Sequence, residues 1–213
     1  MNPKPFYPLK QEIQPLLEGR QTAIVRPVKI QPEDRGLRYE MRFNGTPGWE
    51  DWHGRPYDCP FGNPRTVLMC KEPFYAYDWY EADTERIEES GVLYRVDEPT
   101  NRPFGISYEA CAHEYGYQNK DMWPRWKSGV IMPKSACRLW LEVVDVKVCR
   151  VFEVTNEMAV ALGWEYYEDN DKYKHSVMEF KAGFWHQYGV KFYNTNPWIW
   201  YAAIKRIDKP ENP

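Results

Sequence analysis

The most regular hydrophobic pattern lies between residues 139 and 148. Leu139, Leu141 and Val143 alternate on one parity, and Val144, Val146 and Val148 continue the alternation on the other. A period of two marks a strand. The change of parity predicts a β-bulge at Val143-Val144, where one extra residue re-aims the side chains. The same period carries Trp198, Trp200, Ala202 and Ile204 along a final strand, after a turn through the Asn-Thr-Asn-Pro run at 194–197. Apolar, β-branched runs predict further strands at 22–26, ended by Pro27, at 66–71, stopped near Pro73, and at 91–96.

Helical spacing is shorter-lived. Ile13, Leu16 and Leu17 stand at i, i+3 and i+4, with Gly19 in a C′ position. Pro15 limits this helix and places its start near Pro15 itself. Thr155 reads as the N-cap of a helix over 156–162, closed by Gly163. Val177, Phe180, Phe184 and Tyr188 repeat at helical spacing up to Gly189. The stretches 30–65 and 97–135 are rich in loop-forming residues, yet hold Trp49, Trp52, Tyr57, Phe61, Trp123 and Trp126. Linkers are poor in aromatics, so both predict long ordered loops. The acidic stretch 81–89 reads as a solvated loop or helical turn. The expected organisation is an extended lead-in over 1–8, one domain over 9–207 with insertions at about 30–65 and 97–135, and a tail over 208–213 that frays. Short strands, short helices and two long loops define an α+β chain compatible with a small β-barrel.

Composition narrows the partners. With 213 residues, 43% of them hydrophobic, the chain can bury a real core. No run of about 18 apolar residues occurs, and the first residues lack a signal-peptide stretch, so no membrane span and a cytoplasmic location are expected. The five cysteines are odd in number and include no Cys-x-x-Cys pair, which argues for reduced thiols. His53, Cys59 and Cys70 fit no structural zinc spacing, so neither a metal nor another cofactor is expected. The net charge of −3 disfavours duplex DNA as a partner, because phosphate neutralisation needs a basic excess. Aromatics reach 16%, with 10 Trp and 16 Tyr. Such residues fill small barrels, and they also stack on bases.

Six segments then follow in order. They are Leu17-Glu-Gly-Arg-Gln-Thr-Ala-Ile-Val-Arg26, Cys59-Pro-Phe-Gly62, Lys71-Glu72-Pro73-Phe74, Tyr94-Arg95, Met132-Pro-Lys-Ser-Ala-Cys-Arg138 and Asn196-Pro-Trp-Ile-Trp200. From about residue 9 to residue 207 they resemble phage-type ASCH domain proteins of the PUA-like superfamily, some labelled morphogenetic proteins. The resemblance implies a PUA-like barrel with a cleft beside the first helix. Small ASCH proteins hydrolyse the amide of N4-acylated cytidine. For them the resemblance implies a lysine and a threonine in the first motif and a glutamate on the later short helix. Here those positions hold Gln21, Ile24 and Leu162. Gln21 is no base and Ile24 no nucleophile. Thr22 and Glu157 are displaced by one residue or more, and one step on a strand turns a side chain to the other face. No catalytic residue is assigned, and the expectation leans away from an enzyme.

What the resemblance leaves near its cleft is Arg26, Thr22, Lys71, Glu72, Arg95, Lys134 and Arg138. Arginine's planar fork suits phosphate or a base edge, so these residues read as a site for a nucleotide or single-stranded RNA. They also read as ion pairs, with Arg26 and Arg138 joined to Glu72 or Glu142 and pinning the strands. Trp49, Trp52, Trp123 and Trp126 lie near Arg55, Arg125 and Lys127. They stand as stacking platforms, as protein-binding hot spots or as cover for the loops themselves. Three functions follow: a noncatalytic binder of RNA or modified nucleobases; a phage accessory protein that contacts a host protein; and an amidohydrolase-like enzyme with a rearranged site.

Overall fold

The computed structural model describes residues 2–32, 35–41, 47–80, 87–97, 125–164, 167–169, 172–174 and 176–210. The chain begins with β1 (Lys4–Phe6), helix α1 (Lys10–Leu17) and β2 (Ala23–Pro27). Three short strands follow: β3 (Arg38–Met41), β4 (Pro47–Glu50) and β5 (Pro56–Tyr57). Next come β6 (Val67–Cys70), β7 (Phe74–Tyr80), β8 (Ile87–Tyr94) and the long β9 (Leu139–Arg150). The C-terminal part holds α2 (Asn156–Ala161), β10 (Tyr167–Asp169), β11 (Lys172–Lys174), α3 (Ser176–Tyr188), α4 (Val190–Asn194) and β12 (Trp198–Ile207). The result is a mixed α+β architecture.

Its centre is a five-stranded sheet in the order β1-β6-β9-β12-β2. β1 runs parallel to β6, and the other neighbours are antiparallel. β9 and β12 pair from Trp198 opposite Arg150 to Ala203 opposite Asp145, then resume at Ile204 opposite Val143. Val144 is the extra residue, so the bulge lies where the parity change places it. Val143 is 0% exposed and Val144 51% exposed.

The period of two sorts the core. Ile24, Leu68, Leu141, Val143, Trp200 and Ala202 face one layer, together with Leu16 of α1 and with Trp49, Tyr57 and Phe61. Ala23, Ile199 and Tyr201 face the other, against Leu162, Phe180 and Phe184. A third cluster joins Met69 and Trp140 to Phe74, Met132 and Cys137.

The sequence reading places these strands in a small barrel, but the sheet is open. Among the described residues, β1 and β2 are its two edges and do not pair. β1 has only three residues, all matched to β6, and β2 matches β12 alone. Side chains bridge the seam instead. Arg26 of β2 donates through Nη2 to the Tyr7 carbonyl at 3.2 Å and lies 5.1 Å from the Phe6 ring centroid.

Local signals place most helix ends. Thr155 Oγ accepts the Met158 N–H at 3.3 Å at the start of α2, and Gly163 follows it with φ +87°. Gly189, also at φ +87°, ends α3. The start of α1 differs from the expectation. It lies at Lys10, with Pro15 inside the helix. Pro15 cannot donate to the Gln11 carbonyl, but Gln11 is exposed and water can serve it. A carboxylate supplies the cap: Glu12 accepts the Leu9 N–H at 2.7 Å.

The 30–65 excursion carries a three-stranded sheet, β3-β4-β5. The lead-in contributes β1. Residues 98–124 of the second insertion, including Trp123, lie outside the described residues, as do 81–86 of the acidic stretch and 211–213 of the tail. Among the described residues, no helix is long and apolar enough to cross a membrane.

Candidate ligand cleft

The open seam of the sheet is a cleft of about 790 Å³. Lys4, Phe6 and Tyr7 border it on the β1 side, Arg26 and Lys29 on the β2 side, and Tyr57, Asp58 and Phe61 below. Buried Trp200 of β12 lies beneath it, and half-buried Tyr188 of α3 borders it. Its lining thus includes three basic residues and one acidic residue, with aromatic residues among them. Lys4 Nζ donates to the Cys59 carbonyl at 3.0 Å, which ties β1 to the loop before β6. Lys29 is exposed and has no ion-pair partner among the described residues.

Arg26 is already engaged. Its Nη1 and Nη2 donate to Glu12 Oε1 and Oε2, each at 2.7 Å. Glu12 is only 6% exposed. This bidentate pair joins α1 to β2 and stands between the cleft and a second, smaller cavity of about 100 Å³, lined by Glu12, Gln21, Leu162, Trp164 and Phe184. Tyr188 borders both spaces. Burial raises its phenol pKa; Arg26 opposes the shift and Glu12 adds to it.

The smaller cavity contains two of the positions where the resemblance implies catalytic groups. Gln21, 5% exposed, donates through Nε2 to the Ala23 carbonyl at 2.8 Å, while its Oε1 is buried without a hydrogen-bond partner. Leu162 closes α2 and packs with Phe180. Ile24 is fully buried in the opposite layer of the core. The cavity is narrow because the Trp164 ring lies against Gly183, where a Cβ would overlap it.

The remaining predicted residues lie elsewhere. Glu72, just past β6, and Arg138, just before β9, form a second bidentate pair: Nε to Oε1 at 2.9 Å and Nη2 to Oε2 at 3.1 Å. Asp97 takes Arg138 Nη1 at 2.5 Å, and the guanidinium lies 3.8 Å from the Tyr94 ring centroid. Burial opposes the charge on Arg138, but the hydrogen bonds to Glu72 and Asp97 prevail and raise its pKa. The ion-pair reading of Arg138 therefore holds with Glu72. Arg26 pairs with Glu12 instead, and Glu142 pairs with Lys205 at 3.3 Å.

The two clusters are near neighbours. Cys70 is held well above the usual thiol range by burial first, then by Cys137, Glu72 and Glu12. Lys71 Nζ donates to the Val130 carbonyl at 3.3 Å. Thr22, Arg95 and Lys134 are exposed, and none of them lines the cleft. Of the seven predicted cleft residues, the structure brings Arg26 to the cleft, and Glu72 and Arg138 to each other.

The tryptophans divide. Trp49 is buried between Tyr39 and Trp200, with ring centroids 5.2 and 5.3 Å away. Trp126 is half-buried, and Trp52 remains exposed at the β4–β5 turn. Lys4, Glu12, Lys29 and Asp58 escaped the sequence reading. Glu12 carries a weak signal, three residues after the Leu9 cap; the others carry none, because only the folded seam gathers them. Among the described residues, no three His, Cys, Asp or Glu side chains gather as a metal site. No family model, no curated protein and no solved structure matches the chain.

Proposed function

We propose that this chain is a noncatalytic binder of single-stranded RNA or of a modified nucleobase, that it carries the PUA-like, ASCH-type fold which its sequence motifs resemble, and that the seam cleft is its site. One observation carries the reading: a cleft of about 790 Å³ brings Lys4 and Lys29 together with the exposed ring of Tyr7 and the half-buried ring of Tyr188. Aromatic faces take bases, and peripheral lysines take phosphates. With Arg26 paired to Glu12, Lys4 and Lys29 against Asp58 give the cleft a small local positive bias in a chain of net charge −3.

The test is equilibrium binding of cytidine, N4-acetylcytidine and short RNA oligomers at several salt concentrations. For single strands, each phosphate contact contributes about −0.7 to the slope of log K against log salt. Engagement of Lys4 and Lys29 gives a slope of about −1.4, and Lys29→Gln halves it. Absence of binding to all three probes at low salt rejects the reading. A protein partner in the host is the second reading, favoured by the adjoining exposed side chains of Val130 and Ile131. Specific capture of a host protein, lost in a Val130→Ser, Ile131→Ser variant, supports it.

A further inference from the structure

We propose that Trp52 and Arg35 form a second stacking station beside the cleft, so that the ligand is a strand of two or more nucleotides and not a lone nucleoside. The inference rests on the cleft being a nucleic-acid site. Trp52 is 51% exposed, yet its ring is fixed. Its Nε1 donates to the Arg35 carbonyl at 3.1 Å. The Arg35 and Arg38 guanidinium carbons lie 5.5 and 5.2 Å from its ring centroid.

The two arginines differ. Arg38 pairs with Glu50 at 3.0 Å and Glu40 at 3.3 Å, so its charge is met and it orients the ring. Among the described residues no carboxylate pairs with Arg35, whose guanidinium lies beside the exposed indole.

The turn beneath is pre-organised. The buried Asp51 carboxylate accepts the N–H groups of His53 and Arg55 through Oδ1 at 2.9 and 3.0 Å, and Arg55 Nε through Oδ2 at 2.6 Å. Burial raises the Asp51 pKa, but these hydrogen bonds outweigh it and hold the group ionised. An aromatic group already held in place loses little entropy on binding, which favours affinity.

Position supports the same ligand. The segments carrying Arg35 and Trp52 adjoin those that frame the cleft at Lys29, Ile30, Pro56 and Asp58. Trp52 is four residues from Pro56, so at most about 14 Å of backbone separates the station from the cleft wall.

The test compares cytidine 5′-monophosphate with a six-nucleotide oligocytidylate RNA. Binding is measured for the native chain, Trp52→Ala, Trp52→Phe, Arg35→Gln and Lys29→Gln, each checked for an unchanged melting temperature. The hexamer is expected to bind roughly tenfold more tightly than the monophosphate, the effect of one stacked base. Trp52→Ala removes that advantage and leaves monophosphate binding unchanged. Trp52→Phe, which keeps a ring but loses the Nε1 bond, retains most of it. Arg35→Gln lowers the hexamer's salt slope by about 0.7. Equal hexamer affinity in the native chain and Trp52→Ala overturns this inference, while weaker binding in Lys29→Gln preserves the cleft reading. Binding of neither probe overturns both.

Discussion

At the scale of single residues, the Glu12–Arg26 pair has the largest consequence. Both side chains are mostly buried, at 8% and 16% exposure, and the contact is bidentate. Removing one partner leaves a desolvated charge, which typically costs about 3–5 kcal/mol. Arg26→Met keeps the stem that packs on Phe6 but strands the Glu12 carboxylate. Urea unfolding should show a loss near that range. Adding Glu12→Gln should recover part of it, because a neutral amide tolerates burial and its oxygen can still accept the Leu9 N–H. If the double variant is no more stable than Arg26→Met, the stranded charge is not the cause. The pair also shows why a cationic motif misleads when read alone. Arg26 is visible in the sequence as the end of the first motif, but its counter-charge lies fourteen positions earlier on α1. Only the α1–β2 connection brings them together.

At the scale of elements, legibility follows how local the cause is. The β9 bulge, the ends of α2 and the extent of α3 are set by neighbours in sequence: a parity switch, a threonine cap, glycines at positive φ. All three can be read directly. The strands β1, β3, β4 and β5 have two to four residues each and contain Pro or β-neutral positions. They exist because a partner strand already offers backbone groups, and no pattern within them says so. Pro5 is tolerated in β1 because that strand is an edge. α4 follows Gly189 directly, in residues 190–193 to which no element is assigned from the sequence, and ends at Asn194 where the expected turn begins. The candidate site divides the same way: Arg26 and Trp52 stand out in the sequence, whereas Lys4 and Lys29 gain meaning only across the seam. The bulge gives a sharp test. Val143 is buried and Val144 exposed. Val143→Ala removes two methyl groups from the core and should cost roughly 2 kcal/mol. Val144→Lys should change stability by less than about 0.5 kcal/mol. Chemical denaturation of both variants checks the register; comparable losses would place the bulge elsewhere.

At the scale of the whole molecule, the buried thiols make stability depend on pH. Burial pushes the Cys59 thiol, at the cleft, up to about 11, against the opposing effects of Lys4 and two backbone hydrogen bonds. Burial likewise pushes Cys149, on β9, up to about 11. The ordinary thiol value is 9.0. A group whose folded pKa is raised binds its proton more tightly in the native state. Its contribution is therefore complete below pH 9 and is lost as pH rises through 11. A shift of two units corresponds to about 2.7 kcal/mol for Cys59. Tyr94, Tyr188 and Tyr201 are raised by burial as well and act in the same direction. The unfolding free energy should thus stay level from pH 7 to about pH 8.5 and then fall through pH 9–11. Cys59→Ala will lower stability near neutrality through lost packing, but it should flatten the alkaline fall by removing one titrating group. Denaturation midpoints of the two proteins at each pH separate the effects: packing loss shifts the curve uniformly, whereas titration changes its slope. Parallel curves from pH 7 to pH 11 would mean that Cys59 ionises as freely in the native state as in the unfolded chain. That result would place the Cys59 thiol in contact with water at the cleft.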